Sequence, residues 1–136
     1  MGSVFSNSEW IASNDLAFAI RDSYPVSPGH SLVIPRRVVA TWDETTPAER
    51  SALTDLMSLV KDQLRTELNP DGFNIGFNEG AAAGQTVFHL HIHVIPRFTG
   101  DVPDPRGGIR HAVMGMGNWQ VCDASALGVV AKPGDT

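Results

Sequence analysis

The chain has 136 residues, 42% of them hydrophobic and 18% charged, a balance that suits one domain with a buried core and excludes a disordered tail. Ten Lys and Arg against fifteen Asp and Glu leave a formal net charge of -5. That excludes the basic face usual in a protein that grips a nucleic-acid backbone.

The N-terminal stretch MGSVFSNSEW has neither a basic nor an apolar block, so no secretory leader is expected. No apolar run approaches the ~20 residues of a membrane span. The single cysteine, Cys122, cannot close an intrachain disulfide, and no Asn-x-Ser/Thr sequon occurs. Together these point to a reducing, cytoplasmic compartment and to a partner that is neither nucleic acid nor membrane. Met1 to Ser6 also fits the loose myristoylation pattern, which chance produces readily.

Residues 16–20 and 31–34 are short apolar runs of strand formers, separated by the turn Tyr24-Pro25-Val26-Ser27-Pro28-Gly29. A helix is predicted over 47–68. Thr46-Pro47-Ala48-Glu49 reads as a capping box with proline at the first helical position. Leu53, Leu56, Met57, Val60 and Leu64 then form one apolar stripe, and Asn69-Pro70-Asp71-Gly72 ends it. Strands are predicted over 73–77 and 87–95, joined by a Gly/Ala loop over 78–85. The order implies an α+β fold: an antiparallel meander with one helix on a face. All 136 residues are expected to form one domain, with 100–136 a Pro/Gly-rich segment.

Five histidines stand out, three of them in the run Phe88-His89-Leu90-His91-Ile92-His93-Val94-Ile95, which alternates strictly. On a strand, His89, His91 and His93 share one face and Leu90, Ile92 and Val94 the other. With the apolar face in the core, a row of imidazoles is left towards solvent or a cleft. Three chemistries compete for it. A half-exposed strand with polar histidines is the plain reading. A metal held by two of the run plus His30 is the second. His89 and His93 lie about 13 Å apart at ~3.3 Å per residue, and no carboxylate or cysteine lies in the run to complete a site. Attack on phosphorus is the third, and the best supported. A neutral imidazole is a nucleophile at pH 7, and a neighbouring imidazolium stabilises a phosphate or protonates a leaving oxygen. Gly84-Gln85-Thr86, immediately upstream, supplies close backbone approach and a hydroxyl donor for phosphate oxygens.

Gly84-Gln85-Thr86-Val87 with the run that follows resembles the signature of the histidine-triad (HIT) family, His-φ-His-φ-His-φ-φ with φ apolar. The resemblance extends upstream through Asn78-Glu79-Gly80 to Pro28-Gly29-His30-Ser31-Leu32-Val33-Ile34-Pro35, covering about residues 10–97. It implies an α+β homodimer whose sheets join across the interface. It makes His91 the nucleophile that takes a nucleotide's α-phosphate, and His93 the residue that contacts that phosphate and helps the leaving group. It places His89 and His30 where they hydrogen-bond to the nucleophile's second nitrogen or its surroundings. Asn78, Gly84 and Thr86 then contact phosphate, with Gln85 between them, and Asp22 binds the ribose hydroxyls. No protein-bound metal is required, although a divalent cation can accompany a polyphosphate.

Plainer roles stand beside these: Asn78 as a turn residue, Asp22 as a loop charge, Gly84 as backbone geometry and Thr86 as an ordinary strand residue. Arg106 and Arg110 suit either a second phosphate or a solvated loop, and His111 reads as a surface residue. Trp10, Trp42 and Trp119 read as core or interface residues. Ile95-Pro96-Arg97 is similar to the ending of the bacterial-type HIT hydrolases and the Fhit, or dinucleoside-polyphosphate hydrolase, branch. The expectation is therefore cleavage of a dinucleoside polyphosphate to a nucleoside monophosphate. A phosphoramidate hydrolase and a nucleotide sensor with little turnover are the alternatives. At net -5, attraction of such a substrate must be local, through partial protonation of the histidine cluster and the donors of residues 84–86.

Overall fold

Residues 17–21 read Ala-Phe-Ala-Ile-Arg, small and large apolar side chains in turn. On a strand that alternation makes one face shallow and the other deep. In the computed structural model, which describes residues 3–113, this segment is strand β2 (Ala17–Arg21) of a five-stranded antiparallel sheet. The other strands are β1 (Ala12–Ser13), β3 (Ser31–Pro35), β4 (Gly72–Gly76) and β5 (Ile92–Arg97). Their spatial order is β1-β2-β3-β5-β4, so β5 inserts between β3 and β4. The α+β class, with one helix and an antiparallel sheet, is the expected one.

Helix α1 (Pro47–Leu68) has the predicted bounds. Thr46 Oγ1 accepts the Glu49 N–H at 3.1 Å, and Glu49 Oε1 accepts the Thr46 N–H at 2.8 Å. Glu49 also takes Arg37 on both carboxylate oxygens, at 3.1 and 2.7 Å, tying the helix start to the segment that leaves β3. These contacts, the Arg37 hydrogen bond foremost, hold the Glu49 carboxyl down to about 2. Asn69, left-handed at φ 48°, ends the helix.

Leu53, Leu56, Val60 and Leu64 are buried against Ala17, Ala19, Val33, Ile92 and Val94, and the small alanines let the helix lie close to the sheet. The opposite face carries Phe18, Ile20, Leu32 and Ile34, a second cluster that Phe5 joins from the N-terminal segment. Leu32 pairs with His93 across β3 and β5, so the same alternation puts His93 on the face away from the helix. That face holds the candidate site.

The strand predicted over 87–95 starts later, at Ile92. Its ladder with β3 reaches only Val33↔Ile92, and the chain before it turns to other partners. The Leu90 N–H donates to Val39 O at 2.7 Å, and the His89 imidazole takes Pro35 O. Downstream, Pro96 extends β5 beyond its last pair with β3, Ser31↔Val94, and its carbonyl accepts the Ser27 hydroxyl at 2.6 Å.

The chain divides after Thr99 into two compact units, the first carrying sheet and helix. Of the second, residues 100–113 are described. They hold an Arg106–Asp104 ion pair at 2.8 Å and a short 3-10 turn at Gly108–Ala112. Trp119 and Cys122 lie outside the described residues. Among the described residues, no helix is long and apolar enough to cross a membrane.

Gly29 sits at φ +81° just before His30, and a Cβ there would come within 2.7 Å of both Leu64 and Leu68 of the helix. Gly29→Ala is expected to cost about 1–3 kcal/mol of stability. The check is a lower urea midpoint at unchanged slope.

Candidate active site

The three histidines of the run differ in exposure. His89 is 1% exposed and lies inside the fold, whereas His91 and His93 line a cavity of about 500 Å³. As expected, Leu90, Ile92 and Val94 share the helix-side core, while His89 packs on Phe5 and Phe18 on the other side, together with His91 and His93. The alternation persists although His89 and His91 precede β5; what sets His89 apart is its burial.

Hydrogen-bond accounting assigns the imidazole tautomers. His91 Nδ1 lies 2.8 Å from the backbone carbonyl of His89. A carbonyl only accepts, so His91 Nδ1 carries a proton, and the lone pair of the neutral ring is on Nε2. The resemblance places His89 and His30 in contact with this second nitrogen or its surroundings, and the contact to the nitrogen itself comes from the His89 main chain. His89 Nε2 donates to Pro35 O at 2.6 Å, and its Nδ1 accepts the Ser3 hydroxyl, also at 2.6 Å.

His30, 4% exposed, belongs to a second chain of bonds. Its Nδ1 accepts the Val26 N–H at 3.2 Å, which leaves the ring proton on Nε2. That proton is donated to His93 Nδ1 at 2.9 Å, with Asp22 Oδ2 3.4 Å away. His93 therefore keeps its own proton on Nε2. The result is a nucleophilic nitrogen on His91 and an N–H donor on His93, with ring centroids 5.2 Å apart.

Burial pushes His30, His89 and His93 below the ordinary 6.5, His93 to about 4, with like charge on His91 lowering His93 further. At His30 and His93 desolvation outweighs the pull of Asp22, so burial works against the partial protonation expected of these rings.

Asp22, Asn78, Gly84, Gln85 and Thr86 all line the cavity. Asp22 Oδ1 accepts the Tyr24 N–H at 2.8 Å, which orients its carboxylate at the end of β2. Gly84, at φ +95°, closes a 3-10 turn at Ala81–Ala83 that only a glycine follows without strain. Gln85 is 4% exposed and braces this loop. Its Oε1 accepts the Gly80 N–H at 2.9 Å, and its Nε2 donates to Ala40 O at 2.9 Å. Glu79 adds a strut by accepting the Trp42 N–H at 2.8 Å, and Trp42 stacks on Phe77. Trp10 stacks on Phe18, with Arg36 5.0 Å from its ring.

Asp22, His30 and His93 place one ligand atom each within 4.8 Å of one another, so the carboxylate missing from the histidine run is supplied by Asp22, directly after β2. The donor set suits a proton relay better than a cation. The His30 nitrogen a metal would need is the one that the Val26 N–H obliges to carry a proton.

Sequence reasoning missed the N-terminal wall. Val4, Phe5 and Ser8 line the cavity, and the Phe5 ring lies 5.0 Å from that of His91. No local periodicity marks these residues. Ile20, Leu32, Tyr24 and Val87 complete the apolar side; the alternation of β2 and β3 was the available signal for Ile20 and Leu32.

A family model described as the HIT domain matches residues 5–100, and the chain belongs to that family. Among curated proteins it is similar to an adenylylsulfatase of Arabidopsis thaliana, 42% identical over 84 residues, covering 62% of this chain and 43% of the relative. It is also 38% identical over 90 residues to a bis(5'-adenosyl)-triphosphatase of Dictyostelium discoideum, covering 66% of this chain and 60% of the relative. The chain thus spans less than two thirds of either relative. A solved HIT family protein of Bacillus anthracis superposes with a TM-score of 0.66 at 34% identity, covering 69% of this chain and 67% of that one.

The lowered histidine values set a pH window for stability. The unfolded chain takes up protons near 6.5, while the folded state resists until about 4 for His93. Stability is therefore intact above about 6.5 and is lost as pH falls from there towards 4. Glu49 acts lower, from its ordinary 4.5 downwards. Melting temperatures of nucleotide-free protein are expected to drop through the upper window; a flat profile from pH 7 to 4.5 would refute the assignment.

Proposed function

We propose that the chain is a nucleotide hydrolase that cleaves at the α-phosphate of a dinucleoside polyphosphate, such as diadenosine tri- or tetraphosphate, through a covalent nucleotidyl-His91 intermediate. The observation that carries this reading is the 2.8 Å bond from His91 Nδ1 to His89 O, which leaves Nε2 as the free nucleophile on a cavity wall. Support also comes from the triphosphatase named among the relatives.

In this reading His91 Nε2 attacks the α-phosphorus, and the bond to the departing polyphosphate oxygen breaks with its electron pair. The positive charge that develops on the ring is stabilised by the Nδ1–H bond to His89 O. His93 Nε2–H donates to a phosphate or departing oxygen, and Thr86 and the backbone at Gly84 supply further donors. Asn78 borders the same phosphate, and Asp22 accepts from the ribose hydroxyls. Water then attacks phosphorus, the Nε2–P bond breaks with its pair returning to His91, and a nucleoside monophosphate leaves. The relay from Val26 through His30 keeps His93 a donor throughout, with no resident metal. The acting unit is a homodimer whose sheets join across the interface.

A second reading, hydrolysis of a nucleoside phosphoramidate, has one specific observation in its favour. Among the described residues lining the cavity, Asp22 is the one Asp, Glu, Lys or Arg. A singly charged α-phosphate needs no cation there, whereas a polyphosphate brings a divalent ion with it. Parallel kcat/KM measurements on diadenosine tetraphosphate and adenosine phosphoramidate decide between them. A clear preference for the second reverses the substrate assignment.

His91→Asn is expected to lower kcat by at least about 10³-fold while nucleotide affinity changes little. Steady-state rates and calorimetric binding check it. Retained turnover would remove His91 as the nucleophile. An equally slow wild type that still binds nucleotide would make the protein a sensor.

A further inference from the structure

We propose that Ser3 is a positioning residue for His91, acting through His89, an inference that rests on the hydrolase reading above. The two carbonyl contacts leave little freedom in the donor–acceptor pattern. His89 Nε2 faces Pro35 O at 2.6 Å and must carry the proton, so the buried Nδ1 must accept one. The donor is the Ser3 hydroxyl at 2.6 Å, and the lone pairs of Ser3 Oγ are engaged in turn by the Phe5 N–H at 3.3 Å. His89 is 1% exposed, so no bulk water replaces this donor.

The ring of His89 is thereby held at both nitrogens, and its main-chain carbonyl, the acceptor for His91 Nδ1, is held with it. The same segment presses Phe5, 9% exposed, against both rings, at 5.9 Å from His89 and 5.0 Å from His91. Local bonds stiffen it: the Ser6 N–H donates to Ser3 O at 3.0 Å and the Ser3 N–H to Ser6 Oγ at 2.9 Å. Ser3 thus orients the nucleophile from a strap distant in sequence, with no contact to substrate. Without its hydroxyl, His89 Nδ1 is a buried acceptor with nothing to accept. The ring then turns or changes tautomer, and the carbonyl that fixes His91 moves with it.

Two variants and two readouts test this on the full chain. Ser3→Ala is expected to lower kcat about tenfold with KM changed by less than about twofold, and Ser3→Thr, which keeps the hydroxyl, to restore kcat to within about threefold. Imidazole nitrogen NMR of the wild type is expected to show His89 as the Nε2–H form and His91 as the Nδ1–H form. In Ser3→Ala the His91 signal is expected to lose that single form, while in Ser3→Thr it is kept. An unchanged kcat in Ser3→Ala, an unchanged His91 signature, or a loss of rate that Ser3→Thr shares in full each overturns the proposal. The NMR arm needs no substrate. A wild type inactive on every nucleotide tried refutes the hydrolase reading, and the tautomer signals still decide whether Ser3 orients His91.

Discussion

A carbonyl oxygen can accept a hydrogen bond and never give one, and the candidate site is organised by that asymmetry. Pro35 O fixes the proton of His89 on Nε2, and His89 O fixes the proton of His91 on Nδ1. An amide does the converse for His30, where the Val26 N–H occupies Nδ1 and sends the proton towards His93. Main-chain groups are rigid once the fold is formed, so the tautomers are set before a ligand arrives. The imidazoles differ in role because their backbone neighbours differ.

Those groups are where they are because the sheet has two unlike faces. Ala17 and Ala19 leave room for helix α1, and Phe18 and Ile20 fill the other side without covering it. The stop of the β3–β5 ladder at Ile92 matters equally. Beyond it the Leu90 N–H turns to Val39 O, and the His89 ring is buried against Phe5, Phe18 and Pro35 O on the side of the site. Burial then depresses the histidines it encloses.

Much of this was readable in the residues. Thr46 and Glu49 three positions apart, followed by an apolar stripe and closed by Asn69-Pro70, define the helix to the residue, because capping and periodicity are local properties. The β2 and β3 segments were legible for the same reason. The histidine spacing, with Gly84 to Thr86 ahead of it, marked the family. Gln85 was read as a substrate contact, yet its bonds to Gly80 and Ala40 depend on a neighbour 45 positions away in sequence.

By itself the sequence determined the α+β class, the helix and the family, since each is written in short-range pattern. Only the tertiary structure decided that His89 is buried while His91 and His93 line the cavity, that β5 lies between β3 and β4, and that Ser3 and Phe5 close on a site more than eighty residues further along. Those outcomes depend on which donor meets which acceptor across the fold, a long-range matching that no period in the chain encodes.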